Sequence, residues 1–470
     1  FSTLVETDSK MNIVNDLATD YQVSDNSLDW IFSIRDDVYF TDGEKVKASD
    51  VAFTFNKAKE NISFVDLTMM NSCEVIENNK IKFSLSKPTS TFILTISQIG
   101  IIPEHAYNDD FGINPIGSGP YKLIQWDKGQ QFILEKNDNY YREIPKIDRA
   151  VFTIIPDEDA RFVAAKSQQL DIILTSATIA SVNQIPNMKL ISLSTVDNMG
   201  LVMPNVPNNG DLTTDGYKIG NDVTSDINIR KALSYGIDRQ QICDEALNGF
   251  AEPAFSECDN MPWWNPDTVI ETDISLANKI LDDSNWIDYD GDGIREKNNL
   301  KASFTLMYFA GDSVRQATAI SISNQAKKLG IEIIVEGVSE NDMQKRMFSE
   351  SLILAWGSSN PITSYMLFHS SNAGNSDWYN PENFTNEKVD DYLDLALNSN
   401  TLDESVEFWK KAQWDGTTGT SMKGDAPWVF LLNKQHLYFA KDNLNIGDQK
   451  IHAHGDAWPL VANLKEWKWD

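Results

Sequence analysis

Two histidines near the C-terminal end have the spacing of a metal-binding pair. His452 and His454 are separated by one residue, and the chain contains five histidines in all. This spacing places both imidazoles on the same side of an extended segment, or on opposite faces of a short loop, where either could bind a soft or borderline cation. The pattern predicts a metal site at His452 and His454, with two exposed loop histidines as the alternative.

A second group has the residue types that bind a hard cation. Residues 288–293 read Asp-Tyr-Asp-Gly-Asp-Gly, so the carboxylates of Asp288, Asp290 and Asp292 can converge on one ion while glycine permits the tight turn. The twelfth position of a calcium-binding loop is a bidentate glutamate, and here it is Asn299. No EF-hand helix pair is evident. Two interpretations therefore stay open, a calcium loop and an ordinary turn before a strand.

The motifs of common enzymes and nucleotide-binding proteins do not occur. The sequence has no Gly-x-Ser-x-Gly, no His-Glu-x-x-His and no suitably placed pair of carboxylates. Residues 117–120 read Gly-Ser-Gly-Pro and lack the Lys-Ser/Thr ending of a phosphate-binding loop. We expect a protein that is not an enzyme and that requires no cofactor.

Length and charge narrow the class of protein further. With 470 residues, 41% of them hydrophobic, the chain is expected to form two or three domains. Its net charge of −29 opposes nucleic-acid binding, because phosphate contacts depend on Lys and Arg. An acidic surface suits a cation or zwitterion as ligand, and it also serves solubility. No apolar run approaches the roughly 20 residues that span a membrane.

The three cysteines leave their redox state open. Cys243 and Cys258 could form a disulfide in an exported protein, with Cys73 then left as a buried thiol. None of them has the spacing of a metal site.

The elements that would position these residues follow from hydrophobic periodicity. Residues from Trp30 to Ile34 alternate with a period of two, which predicts a strand with one apolar face. An amphipathic helix follows, with Ser49 or Asp50 as its N-cap. From Ala150 onward strands and helices alternate, which predicts an α/β lobe with a mainly parallel sheet.

Three segments together resemble the conserved signature of one protein family. The second segment covers residues 114–121, 139–141 and 145–148, and the third covers residues 229–239. In the first segment, the matching residues are Trp30, Arg35, Phe40, Asp42, Gly43, Ala48, Asp50 and Val51. Over nearly its whole length the chain resembles the family 5 extracytoplasmic solute-binding proteins, the peptide- and nickel-type receptors of ABC importers.

The resemblance implies an α/β fold, the clamshell of the type II periplasmic binding proteins. Two α/β lobes are joined by a hinge of two chain crossings, and an extra α+β domain lies beside them. We expect residues 1–145 to form the extra domain with part of lobe 1, residues 146–238 lobe 1, residues 239–430 lobe 2, and residues 431–470 a return to lobe 1. Such a hinge allows the lobes to close on a small ligand.

The resemblance also implies a location and a partner. Family members carry an export signal, often that of a lipoprotein, so we expect an extracytoplasmic protein, either periplasmic or lipid-anchored. We expect a monomer that docks on an ABC permease in the membrane and does not bind nucleic acid. The segment from Phe1 to Glu6 resembles the helix before the tryptophan strand, which predicts a further segment ahead of it.

One departure from the peptide receptors bears on the ligand. In those receptors an aspartate in the segment equivalent to Ala355–Ser370 binds the α-ammonium of the peptide. Here no Asp or Glu stands between Leu352 and Asp377. The pattern Trp-Gly-x-x-x-Pro-x-x-x-Tyr-x-x-x-His-Ser in this segment is more similar to the nickel-type members.

The resemblance to nickel-type members predicts the cargo and the residues that bind it. The cargo would be nickel or a related transition metal, chelated by histidine or a small metallophore. A di- or oligopeptide is the alternative, and a hydrolase or a glycan-adhesion domain is a remote one. For Arg315 the alternative interpretation is a surface salt bridge, and for His369 the alternative is a packed side chain. The predicted ligand-binding residues are Trp356, Arg315, Tyr365 and His369, with His452 and His454 completing the metal's shell.

Overall fold

The computed structural model describes residues 1–60, 65–374, 378–454 and 458–470, and of residues 458 and 459 only the backbone. The elements of its first third are β1 (Val5–Thr7), β2 (Ile13–Asn15), β3 (Ala18–Val23), β4 (Asp29–Ile34), α1 (Ala48–Lys59), β5 (Met70–Glu77), β6 (Lys80–Leu85), α2 (Phe92–Ile96), β7 (Tyr121–Asp127), β8 (Gln131–Lys136) and β9 (Arg149–Thr153).

The predicted tryptophan strand is present as β4. It buries Trp30, Phe32 and Ile34 on one face, and it lies inside an antiparallel sheet of order β3-β4-β6-β5. Helix α1 begins one residue before the expected caps, with Lys47 as N-cap. The backbone N–H of Lys47 donates to the Asp50 carboxylate at 2.8 Å. Asp50 therefore stabilises the helix start from its first turn, and the prediction that Ser49 or Asp50 is the cap was wrong.

The middle of the chain alternates helices and strands as expected. Its elements are α3 (Glu158–Lys166), β10 (Ile172–Thr175), α4 (Ala177–Val182), β11 (Met188–Leu193), β12 (Asn198–Val202), α5 (Ile227–Gly236), α6 (Arg239–Leu247), β13 (Ala251–Pro253), α7 (Ile274–Asp283), β14 (Glu296–Lys297), β15 (Leu300–Lys301), β16 (Ser303–Phe309), α8 (Ser313–Lys327) and β17 (Glu332–Val338).

The last part of the chain completes the sheets. Its elements are α9 (Glu340–Arg346), β18 (Ser351–Trp356), α10 (Ile362–Phe368), α11 (Glu387–Leu397), α12 (Leu402–Gln413), β19 (Trp428–Lys434), β20 (His436–Lys441), β21 (Leu444–Asn445) and β22 (Lys468–Trp469). Among the described residues, no helix combines the length and apolar character that crossing a membrane requires.

The sheets are mostly antiparallel, so the prediction of a mainly parallel sheet was wrong. A six-stranded sheet has the order β13-β19-β12-β18-β16-β17, and its parallel pairs are β16 with β17 and β16 with β18. In a three-stranded sheet, β10 and β11 both run antiparallel to the returning strand β20. The consecutive strands β10 and β11 lie on either side of the later strand β20 and do not pair with each other. The alternation of helix and strand therefore did not reveal their direction.

The chain passes twice between these two sheets. One crossing is the segment 194–197 between β11 and β12, and the other is Gln435 between β19 and β20. The crossings lie side by side, because Thr195 Oγ1 donates to the Lys434 carbonyl at 2.6 Å and the Lys434 N–H donates to the Asp197 carbonyl at 2.9 Å. This is the arrangement of a two-crossing hinge. The domain limits at residues 145, 238 and 430 stay predictions.

The three cysteines are free and buried. Of the two states that the sequence left open for Cys243 and Cys258, the structure has the unpaired one.

Candidate functional site

The hinge brings together five side chains, which we call the hinge cluster. Asp197 stands immediately before β12, Lys434 ends β19 and His436 begins β20. A parallel bridge between Thr195 and His452 aligns the segment around residue 452 with the first crossing. The members of the hinge cluster are Asp197, Lys434, His436, His452 and His454.

Asp197 is the centre of the hinge cluster. Its carboxylate is 4% exposed. His454 Nδ1 lies 2.5 Å from Oδ1, while Lys434 Nζ and His436 Nε2 lie 2.9 and 3.4 Å from Oδ2. Burial by itself would raise the pKa of Asp197, but hydrogen bonds from His436 and His454 and the charge of Lys434 hold that pKa well below its usual range. Asp197 is therefore an ionised carboxylate inside the hinge.

His454 is oriented by this carboxylate in the manner of many metal ligands. When Nδ1–H donates to Asp197, the lone pair of the neutral ring is on Nε2. Nε2 has no hydrogen-bond partner among the described residues, and the side chain remains 35% exposed. A carboxylate that binds one imidazole nitrogen fixes the ring and increases the basicity of the other nitrogen.

His452 is buried behind His436. Its side chain is 0% exposed, and the Nδ1 atoms of the two rings are 3.0 Å apart. When His436 Nε2–H donates to Asp197, His436 Nδ1 accepts from His452 Nδ1–H, which leaves His452 Nε2 with a lone pair. That atom has no hydrogen-bond partner among the described residues. Burial, with a smaller contribution from the neighbouring His436, lowers the pKa of His452 to about 4, so its imidazole is neutral at neutral pH, the form that binds metals.

Trp356 is adjacent to the hinge cluster. It ends β18 and pairs with Asn198, the residue after Asp197. Its ring stacks on Tyr379 with a centroid distance of 5.1 Å. The carbonyl of the next residue, Gly357, accepts from the His454 N–H at 3.0 Å. A Cβ on Gly357 would lie 1.5 Å from the Val196 carbonyl oxygen, so only glycine permits this close approach of the strand end to the hinge.

Arg315 lies within electrostatic range of the same centre. Burial lowers its pKa, and the negative charges of Asp312 and Asp197 oppose that shift. Its guanidinium carbon is 4.6 Å from the centroid of the Phe309 ring, and Nε is 3.4 Å from Asp312 Oδ2. Arg315 has a local ion pair with Asp312 and interacts electrostatically with Asp197. Its role in ligand binding stays a prediction.

Tyr365 and His369 form a separate pair. Their rings stack at 4.3 Å, His369 Nδ1 lies 2.8 Å from Ser371 Oγ, and Nε2 lies 3.6 Å from Asp394 Oδ1 in α11. Among the described residues, these contacts tie the pair to α11 and not to the hinge cluster. A role of Tyr365 and His369 in ligand binding stays a prediction.

A cavity of about 290 Å³ is lined in part by Ala453, the residue between His452 and His454. Its walls include Glu6, Gln98, Ser359, Lys450 and Ala453, which come from four separate parts of the chain. A larger cavity of about 700 Å³ shares Glu6, Ser97, Lys450 and Ala462 with it. The smaller cavity is close to the lower limit of typical small-molecule pockets, and the larger one is well within their range.

The sequence did not identify Asp197, Lys434 or His436 as site residues. Each stands at the end of a strand next to a crossing, and Asp197 and His454 are 257 positions apart in the sequence. A usable signal was the polar run 433–436, which interrupts two stretches of buried apolar residues in β19 and β20.

The residues of the predicted calcium loop lie close together in space. Ligand oxygens of Asp288, Asp290 and Asp292 lie within 4.8 Å of one another and of Glu296, which the sequence did not suggest. We call these four residues the acidic loop cluster. It lies between α7 and β14, of which Glu296 is the first residue, and is apart from the hinge cluster.

Comparison with known proteins gives one family and several similar folds. The model of "Bacterial extracellular solute-binding proteins, family 5 Middle" matches residues 12–378. Protein XP55 of Streptomyces lividans is 28% identical over 435 residues, which are 90% of this chain and 76% of that protein. The oligopeptide-binding protein AppA of Bacillus subtilis is 25% identical over 498 residues, 99% of this chain and 86% of that protein.

A solved structure supports the fold independently. NikZ from Campylobacter jejuni in complex with Ni(L-His) has a TM-score of 0.76 and 24% identity, covering 100% of this chain and 93% of that one. The predicted fold class, a two-lobed α/β clamshell, is thereby confirmed.

Proposed function

This chain belongs to the bacterial extracellular solute-binding proteins of family 5, and we propose that its cargo is nickel, or a related transition metal, bound as a chelate with histidine or a small metallophore. As a member of that family it is a substrate-binding protein of an ABC importer and acts outside the cytoplasm. Family members bind small ligands and work with ABC permeases. The proposal includes a monomeric protein that is either periplasmic or lipid-anchored.

The observation that carries the proposal is the contact between Asp197 and His454. A buried carboxylate holds Nδ1 of a half-exposed imidazole at 2.5 Å, and Nε2 is left for a metal. Imidazole suits nickel, copper and zinc, whereas magnesium and calcium prefer oxygen. His452, with its neutral ring and free Nε2, is a second candidate ligand, although its burial requires the hinge to rearrange before metal can reach it.

The surroundings of Asp197 suit a chelate with carboxylate groups. Arg315 provides a cation, which pairs well with the carboxylates of an amino-acid chelator. Trp356, which is adjacent to the hinge cluster, offers an aromatic face. Asp197 is already bound by Lys434, His436 and His454, so it is poorly placed to bind the α-ammonium of a peptide. The NikZ structure was solved with Ni(L-His), which supports the same choice.

A di- or oligopeptide is the second candidate cargo. The larger cavity of about 700 Å³ favours it, as does the similarity to the oligopeptide-binding protein AppA. In that case the peptide would lie along Lys450 and Glu6, which line both cavities.

Calorimetry distinguishes the two cargoes. The purified chain is titrated with nickel plus L-histidine and, separately, with peptides of two to nine residues. We expect saturable binding of the nickel chelate only, weakened about tenfold or more by His454→Ala, because loss of a metal ligand or its orienting partner costs about 10–100-fold in affinity. His105→Ala is the matched control, since His105 is exposed and pairs with Asp42. Tight peptide binding with no response to the chelate would refute the proposal.

The remote alternative of a hydrolase has its own test. Family 5 consists of solute-binding proteins, so we expect no turnover of a chromogenic ester or glycoside by the purified chain. Turnover that follows the protein through purification would favour an enzyme.

A further inference from the structure

The acidic loop cluster has features that a surface turn does not need. Its four carboxylates come from a loop of nine residues, and one ligand oxygen of each lies within 4.8 Å of the others. Asp288, Asp290 and Asp292 are exposed, but Glu296 is only 8% exposed. Four negative charges this close repel one another strongly unless a cation lies among them.

The buried Glu296 gives an observation independent of the cluster's charge. Its Oε2 accepts from the Tyr289 N–H at 3.0 Å. Its Oε1 is buried and receives no hydrogen bond from any described residue, and this side chain belongs to the group whose ligand oxygens converge. A buried carboxylate oxygen without a donor is costly. A cation beside this oxygen would satisfy it.

A cationic side chain already lies near this oxygen and two of the aspartates. Lys301 in β15 contacts Asp292, and its Nζ lies 3.3 Å from Asp290 Oδ2 and 3.7 Å from Glu296 Oε1. One ammonium neutralises one of the four negative charges. The Lys301 side chain is 44% exposed, so it can move into solvent without leaving a cavity.

We propose that Asp288, Asp290, Asp292 and Glu296 form a calcium-binding site in which Ca²⁺ replaces the ammonium of Lys301. All donors are oxygens, as hard cations require, and the cluster offers neither nitrogen nor sulfur to a transition metal. Glu296 occupies the ninth position of the loop, so it supplies the carboxylate that Asn299 at the twelfth position does not. Magnesium is disfavoured because it retains its water shell in preference to such flexible multi-carboxylate loops.

Calcium at this site would stabilise the loop that leads into the six-stranded sheet. The neighbouring Lys297 binds Asp226, the N-cap of α5, at 2.7 Å. The Ile287 and Glu296 backbones pair with each other. A cation that fixes Glu296 therefore also fixes the contact between β14 and α5. This role does not depend on the identity of the transported ligand.

The test is a calcium titration of the full chain after chelator treatment, by calorimetry and by thermal unfolding. We expect one Ca²⁺ per chain with a dissociation constant of about 10⁻⁴–10⁻³ M, the range of extracellular calcium modules, and a higher midpoint of unfolding. Glu296→Gln and Asp290→Asn should each weaken binding about tenfold or more. Lys301→Met should strengthen it several-fold, because the competing ammonium is gone.

Asp283→Asn is the matched control, since Asp283 is exposed and pairs with Lys279 outside the cluster. Asp290 is exposed, so its variant tests the site even if Glu296→Gln fails to fold. The proposal is overturned if neither the wild type nor Lys301→Met binds Ca²⁺ up to about 10 mM, well above the affinity of weak extracellular sites. It is equally overturned if Glu296→Gln and Asp290→Asn bind like the wild type, or if Mg²⁺ binds as well as Ca²⁺.

Discussion

The hinge cluster and the acidic loop cluster both place a lysine against aspartates, yet they differ in burial and in donor type. Asp197 is 4% exposed and surrounded by imidazoles, whereas Asp292 is exposed and surrounded by carboxylates. In the hinge cluster, cationic and hydrogen-bonding partners hold the pKa of a buried carboxylate down. In the acidic loop cluster, Asp292 and Asp290 raise the pKa of Lys301.

This difference separates two kinds of cation chemistry in one chain. Nitrogen donors oriented by a buried carboxylate suit a borderline transition metal, while a set of oxygen donors at the surface suits a hard ion. Burial also decides how strongly each group is coupled to folding, because solvent and salt screen the exposed ion pairs far more than the buried ones. Single substitutions can break each cluster separately.

The largest effect is expected from Asp197→Asn. Removing the charge leaves Lys434, His436 and His454 around a neutral amide, and breaking a buried ion pair costs roughly 3–5 kcal/mol of unfolding free energy. Urea unfolding measures this loss of free energy. The control is Asp171→Asn, which removes the half-exposed partner of Lys441 and should cost about 0–1 kcal/mol. Equal losses in the two variants would show that Asp197 has no special role.

The pH dependence of stability tests the burial of His452. Its pKa is about 4 in the folded chain and 6.5 in the reference state, so between these values the unfolded chain binds a proton that the folded chain does not. This contribution to the free energy of unfolding is therefore fully present above pH 6.5. It is lost as the pH falls toward 4, and the total loss is roughly 3 kcal/mol.

The measurement is the difference in unfolding free energy between the wild type and His452→Gln from pH 7.5 to 4.5. Taking the difference removes the contributions of Asp259 and Glu382, which both proteins share. Burial raises the pKa values of these two groups to about 7 and about 8, so their contributions to stability change with pH in the opposite direction. A difference that stays constant with pH would show that His452 is exposed to solvent in the folded chain.

A steric variant tests the close approach at the hinge. Gly357→Ala would force a Cβ to within 1.5 Å of the Val196 carbonyl oxygen, so the strand end must move away from His454. We expect a loss of about 1–3 kcal/mol and weaker ligand binding. Gly112→Ala is the control, because no atom lies within 4 Å of its added Cβ. Similar stability of both variants would contradict the close contact between the end of β18 and the hinge.

The smallest effect is expected from Lys301→Met in the absence of calcium. The exposed ion pairs of Lys301 should change the urea midpoint less than any hinge variant, and the change should disappear in 1 M salt, where the Debye length is about 3 Å. A large change that persists at high salt would mean that Lys301 is a structural residue, not a replaceable cation.

Local patterns predicted the parts of each site that are close in sequence. The spacing of His452 and His454 and the repeat of Asp288, Asp290 and Asp292 both marked groups that the structure places in charged clusters. The apolar alternation of β4 was confirmed in the same way. These signals are periodic and need no knowledge of which strands become neighbours.

The rest depended on long-range pairing. Asp197 and His436 meet only because β11, β12, β19 and β20 cross between two sheets side by side. The strand directions were predicted wrongly for the same reason, since β10 and β11 pair with a strand from the far end of the chain. Glu296 was overlooked because the loop was compared with a template whose last ligand is at the twelfth position.

X-ray absorption at the nickel edge tests the central claim most directly. The wild-type chain loaded with nickel and L-histidine should show one more imidazole in the metal's shell than His454→Ala, while His105→Ala should match the wild type. If His454→Ala retains the wild-type nickel spectrum, or if the wild type retains no nickel, the hinge cluster does not bind the metal.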